Sequence, residues 1–404
     1  MKKKMMILSL ISWMMAFNVN AVGHCMINKW FDKTIKSKSV KLEQTGKDTE
    51  RKDIFLSQLP SVSLAAGKSV NQKKDSHQLI NIKNYSPEMN LSVNLYSGGR
   101  TFLDLDENDL EHKALTMKMM SERNEYVYAL LSSVFSLKTM NSNQNDLSEQ
   151  IRLFERNREV YSYLVNSGKK PRIELDLINA SIADLHVQYD MMTNNKKRVL
   201  LDAERRFVIT ENELIKINYS DFNDCIEYKD IELKQKEIEI ERERANFHMK
   251  KIEKQMLPDI TLSAGLAPTY ERGHVNYSKP DYQVAVGLSV NLSTIFKQNN
   301  DKESEITRLR QSELQFEEAV ISYAGKRDEV ISELQNTRLQ LEVLYKNMET
   351  EQRKLDFVKE QMESGKESFL YYMDMLNRML LLKSGISDMN NRKEYYEVLF
   401  SFFN

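Results

Sequence analysis

Leu59-Pro60-Ser61-Val62-Ser63-Leu64-Ala65-Ala66-Gly67 and Leu257-Pro258-Asp259-Ile260-Thr261-Leu262-Ser263-Ala264-Gly265 carry one pattern twice, 198 residues apart. Each copy is followed by a second alternating stretch, Met89 to Leu95 in the first half and Val284 to Leu292 in the second, at an offset of 197. The echo continues downstream. Ser167-Gly168-Lys169 matches Ser364-Gly365-Lys366 at 197, and the pair Asp176 and Asn179 matches Asp374 and Asn377 at 198. Landmarks held at one near-constant spacing indicate two structural repeats of about 200 residues.

Each alternating stretch has one apolar side, such as Val62, Leu64 and Ala66, or Val284, Val286, Leu288, Val290 and Leu292. Its other side is small or polar, as in Ser61, Ser63, Asn90, Ser92, Asn94, Thr261 and Ser263. A period of two over about ten residues predicts β-strands with two unlike faces. In a soluble protein the apolar face packs on a core. In an outer-membrane barrel it meets lipid while the polar face lines water. The surrounding sequence favours lipid, because the flanking helical segments spend their apolar residues on a narrow seam and leave little to cover a sheet. Tyr85, Tyr96, Phe102, Tyr270, Tyr277, Tyr282 and Phe296 lie near the strand ends, where an aromatic girdle sits. Four strands do not close a barrel, since the smallest need about eight. The chain is therefore expected to share its barrel with other copies.

Between the strand pairs the six prolines fall only at boundaries, at positions 60, 87, 171, 258, 268 and 280. The interval from Phe102 to Val165 has neither Gly nor Pro, and Asn299 to Glu363 has only Gly325, so both are free to be long helices. The second carries apolar residues on a 3,4 spacing from Ile306 to Met362, interrupted at Glu313, Arg327, Thr337 and Glu351. That spacing predicts a coiled coil against neighbouring helices. Gly168 and Gly365 read as left-handed helix caps, which makes each half a helical hairpin.

Lys2, Lys3 and Lys4 precede an apolar run from Met5 to Phe17 and the small-residue pattern Val19-Asn20-Ala21, which predicts a secretory signal peptide cleaved after Ala21. Cleavage removes three of the 58 basic residues and none of the 59 acidic ones. The slightly acidic remainder gives no reason to expect nucleic acid. Cys25 follows His24, where a lipoprotein signal needs a small residue, so lipidation is not expected. Whether Cys25 pairs with Cys225 in an oxidising compartment stays open, because nothing local joins them. The six scattered histidines show no ligand spacing, and no nucleophile cluster or phosphate loop occurs, so no catalytic residues, metal or cofactor are expected.

The paired Leu-Pro openings, the Ser-Val-Asn-Leu strands, and the Gly turn followed by Asp-x-x-Asn in both halves together resemble the TolC-like outer membrane efflux proteins. The resemblance covers nearly the whole chain after the signal. It implies an α+β membrane protein, a homotrimer in which four strands per chain form a 12-stranded β-barrel continued by a coiled-coil helical tunnel across the periplasm. The implied division is 1–21 signal peptide, 22–58 N-terminal periplasmic helical segment, 59–96 strands of the first repeat, and 97–205 helical hairpin with its tip near 168. It continues with 206–228 as equatorial connector, 229–256 helix, 257–296 strands of the second repeat, and 297–404 helical hairpin with its tip near 365. Such proteins serve as passive exit ducts in the outer membrane for an inner-membrane ABC or proton-driven pump, joined through a periplasmic adaptor. The match places Asp374, Asn377, Asp176 and Asn179 at the pore constriction, and Ser167, Gly168, Lys169, Ser364, Gly365 and Lys366 at the adaptor-docking tip. Here extra residues separate each Gly from its Asp, and Asn377 stands where a second acid can occur. A secreted trimeric coiled-coil structural or adhesin protein without a pore is the alternative of a different class.

Overall fold

The computed structural model describes residues 25–75, 78–271 and 274–404, without the side chains of 67–87 and 268–279. The expected signal peptide and the side chains of Tyr85, Tyr270 and Tyr277 lie outside the described part.

Two short N-terminal helices, α1 (Met26–Phe31) and α2 (Ile35–Leu56), lead into the strand pair β1 (Ser61–Asp75) and β2 (Gln78–Ser97). Thr34 starts α2 by accepting the backbone N–H of Ser37 at 3.2 Å. The helical hairpin α3 (Arg100–Asn166) and α4 (Arg172–Phe207) follows, and then a connector holding α5 (Glu211–Lys216) and a 3₁₀ turn, Tyr219–Phe222. After α6 (Asp230–Lys254) come β3 (Asp259–Glu271), β4 (His274–Ser289) and the second helical hairpin, α7 (Ser293–Glu363) and α8 (Phe369–Phe403). At 1.5 Å per residue, the 67 residues of α3 and 71 of α7 each extend roughly 100 Å.

The strands form one antiparallel sheet in the order β1-β2-β3-β4. Its register aligns the residues by chemistry. Val62, Leu91, Ala264 and Val284 stand in one row, with Ser61, Ser92, Ser263 and Ala285 in the adjacent row on the opposite face. Ser61 and Ser92 share a hydroxyl hydrogen bond of 2.7 Å on that polar face. Among the described residues no helix covers the apolar face. Leu64 is 82% exposed, and Val284, Val286 and Leu288 are about as open, at 69%, 69% and 68%. Tyr96, Phe102, Tyr282 and Phe296 are exposed as well.

Two strand readings need correction. A bulge between Asn94 and Tyr96 removes Leu95 from the ladder, so Tyr96 rather than Leu95 faces Ile260 in the apolar row. The last strand stops at Ser289, short of Val290 and Leu292. Asn291 ends it by taking the backbone N–H of Ser293 on its side-chain oxygen at 3.1 Å, which opens α7. The strands also run to 13–20 residues, beyond the roughly ten that cross hydrocarbon.

The helices pack in two cores. In one, Phe207 at the end of α4 and the connector's Ile209, Leu214, Ile217 and Phe222 are buried against Tyr126, Leu130 and Val134 of α3, Ile27 and Phe31 of α1, and Phe402 of α8. Tyr126 fixes the connector's entry by donating its hydroxyl to the Phe207 carbonyl at 2.9 Å. A disulfide joins Cys25 to Cys225 inside this core, with a Cα separation of 5.3 Å. That settles the pairing left open by the sequence and occupies the Cys25 sulfur. The second core lies toward the two helix turns and draws on all four long helices, through Phe154 and Tyr161, Ile178 and Ile182, Leu355 and Val358, and Phe369 and Leu376. Thr337 does not interrupt the α7 seam. It is 2% exposed, with its hydroxyl bonded back to the Glu333 carbonyl at 2.7 Å.

Candidate functional site: the helix turns and their acidic flanks

Both long helices end in the same backbone device. Gly168 and Gly365 adopt φ of 71° and 74°. The next residue folds back, with Lys169 N–H on the Leu164 carbonyl and Lys366 N–H on the Gln361 carbonyl, both at 2.9 Å. Gly168 and Gly365 donate to Val165 and Met362 at 3.0 Å, completing a Schellman closure. Ser167 and Ser364 each bond a carbonyl three residues back, leaving the exposed Lys169 and Lys366 side chains to project from the turns.

A methyl group added at either glycine meets nothing within 4 Å, so the left-handed backbone is the whole constraint. Gly365→Ala is expected to cost about 1–2 kcal/mol locally, and Gly365→Asn less, since Asn tolerates that conformation. Hydrogen exchange at the end of α7 checks this: Ala should raise exchange more than Asn, and equal protection in both would contradict it.

The returning helices start differently. Pro171 precedes α4, whereas Ser368 caps α8 by accepting the Tyr371 N–H at 3.1 Å. One turn further on, Asp176 and Asn179 lie exposed on α4, and Asp374 is exposed on α8 with Asn377 half-buried beside it. The opposite face of α8 carries buried Met373, Met375 and Leu376, so packing turns Asp374 outward. Among the described residues no hydrogen bond or ion pair joins Asp176 or Asn179 to Asp374 or Asn377. Asp374 has one feature unforeseen from the sequence, an ion pair of 3.0 Å with Arg378. Its signal in the sequence is the i,i+4 spacing, acid before base.

A second charged group lies at the other end of the helices. His248 of α6 sits between Glu107 of α3 at 2.5 Å and Glu305 of α7 at 3.2 Å, and Lys251 reaches Asp104 at 2.6 Å. Burial pushes the Glu107 carboxyl up, but His248 and Lys251 outweigh it and hold it below its usual range. These pairs tie three helices just below the sheet. Arg100 does the same for the sheet itself by pairing with Asp259 at the start of β3. Further along, where the end of α8 meets the start of α6, Tyr128, Tyr323, Tyr396 and Phe403 line a recess of about 1030 Å³. None of the residues expected at a site from the sequence lines it.

No protein-family model matches the sequence. No curated protein matches it either. Solved structures do. The outer membrane protein VceC of Vibrio cholerae aligns over 93% of this chain and 94% of its own, at 11% identity and a TM-score of 0.70. The CmeC outer membrane channel of Campylobacter jejuni aligns over 93% and 85%, at 13% identity and 0.71. The MtrE outer membrane channel of Neisseria gonorrhoeae, in its open state, aligns over 94% and 88%, at 13% identity and 0.64. With helices and sheet matched nearly end to end, the chain has the fold of these outer-membrane channels, the architecture that its duplicated strands and Gly turns resemble.

Proposed function

We propose that the chain is one subunit of a homotrimeric, TolC-like outer-membrane channel that serves as a passive exit duct for a tripartite efflux or type I-like secretion system. The observation that carries this reading is the four-stranded sheet. Its apolar face is open, and the outer edges of β1 and β4 have no partner among the described residues. An open apolar face and two open edges call for lipid on one side and further strands at each end. Three copies give twelve strands, enough to close. The duplicated hairpins supply the tunnel wall below, and no helix among the described residues is long and apolar enough to cross a membrane. The buried Cys25–Cys225 disulfide supports export to an oxidising compartment such as the periplasm.

In this reading the two helix turns, at Gly168 and Gly365, face away from the membrane and meet a periplasmic adaptor that links the duct to an inner-membrane pump. Asp176 and Asn179, with Asp374 and Asn377, line the constriction, where carboxylates repeated around one axis favour cations. Purified protein reconstituted in planar bilayers tests the reading. Detergent-extracted, heat-modifiable trimers should give step conductances. Asp374→Ala should lower cation preference and weaken block by multivalent cations. A trimer that is extracted without detergent and gives no conductance would support the secreted coiled-coil alternative instead, and a freely soluble monomer would contradict both.

A further inference from the structure

We infer that Arg378 sets the ion preference of the tunnel mouth by cancelling the charge of Asp374, so that the acidic character of the mouth comes from the start of α4, where Glu174 and Asp176 outnumber Arg172. This rests on the channel reading above and concerns the same constriction. The Arg378 guanidinium Nε stands 3.0 Å from Asp374 Oδ2 on one exposed face of α8. The side chains are 64% and 51% exposed, so the pair opens and closes freely. Cancellation does not need it closed. Residues four apart on a helix stay within about 6 Å at Cβ, inside the roughly 8 Å screening length of physiological salt. An ion passing the mouth therefore meets the summed charge of the two residues.

The other hairpin carries a different balance of charge. Position 180, four residues after Asp176, is an alanine, and Asp176 forms no ion pair among the described residues. Its nearest basic neighbour in sequence is Arg172, one turn before it at the start of α4, with Glu174 between them. The stretch from Arg172 to Ala180 thus keeps one net negative charge. On α8, Asp374 and Arg378 sum to zero.

Selectivity measurements in planar bilayers under a KCl gradient decide this, using full-length trimers of the wild type and of Arg378→Gln, Arg378→Lys, Asp374→Asn and Asp176→Asn. All four substitutions are at exposed positions, and gel mobility of the unheated trimer checks assembly. Removing three positive charges near the axis should raise the K⁺/Cl⁻ permeability ratio of Arg378→Gln on the order of threefold. Arg378→Lys keeps the charge and should behave as the wild type. Asp374→Asn and Asp176→Asn should each lower the ratio. Conducting trimers in which Arg378→Gln leaves the ratio unchanged overturn the inference and leave the channel reading standing. A wild type that forms no pores overturns both.

Discussion

Val286→Arg should remove the protein from the outer membrane. Val286 lies near the end of β4, three residues before Ser289 and opposite Leu262 in the apolar row, and is 69% exposed in the single chain. If that exposure is to water, an arginine there is harmless. Facing lipid, it costs up to about 4 kcal/mol per copy, depending on its depth in the hydrocarbon. In the proposed trimer three copies multiply this to as much as roughly 12 kcal/mol, comparable to the whole stability of many proteins. The expected result is loss of the heat-modifiable trimer from the membrane fraction. Gln283→Arg is the matched control. It lies on the same strand three residues away, but pairs with Gly265 in the polar row, and so should be tolerated. Equal yields of trimer from both variants would mean that the apolar row does not meet lipid.

Breaking the disulfide should have the next largest effect. The bond closes a loop of 200 residues. On the chain-entropy account, such a loop stabilises the folded state by about 5 kcal/mol, at the upper end of what disulfides contribute. Only the short α1 lies between Cys25 and the turn into α2, so its hold on the connector depends heavily on this link. Cys225→Ala should lower the thermal midpoint clearly and open residues 26–34 to proteolysis. Dithiothreitol should do the same to the wild type and nothing further to the variant. A wild-type midpoint that does not respond to the reductant would show that packing around Phe31 and Phe222 suffices.

What the sequence disclosed follows from how local each signal is. Helix extent was readable because proline is excluded from helix interiors. The expected Phe102 to Val165 lies within the observed Arg100–Asn166. Strand faces were readable because a period of two is visible within five residues, and the register places Val62, Leu91 and Val284 on one side as that period implies. The left-handed turns at Gly168 and Gly365 carried the same signal. The bulge at Leu95 was not legible, because inserting one residue keeps the letters alternating while the pairing slips. Strand length was missed where the sequence turns polar, as at Asn71 to Asp75, and alternation no longer marks a strand. Nor did local sequence join Cys25 to Cys225, since their approach is made by the packing of α1, α3 and the connector. At the candidate site the Asp374–Arg378 spacing is present in the sequence, but the match between the two halves does not point to it, because an alanine, Ala180, stands at the corresponding position of the first half.

The two margins of the sheet that are unpaired among the described residues bear on how the proposed ring of three would be made. A lone subunit offers two sticky borders. Joining a second subunit seals one pair and leaves two borders still bare, so a half-built ring is as adhesive as its starting material. Only the third arrival removes both at once. In such a ring, intermediates would gain no protection from growing, which would make completion an all-or-nothing event rather than a gradual one.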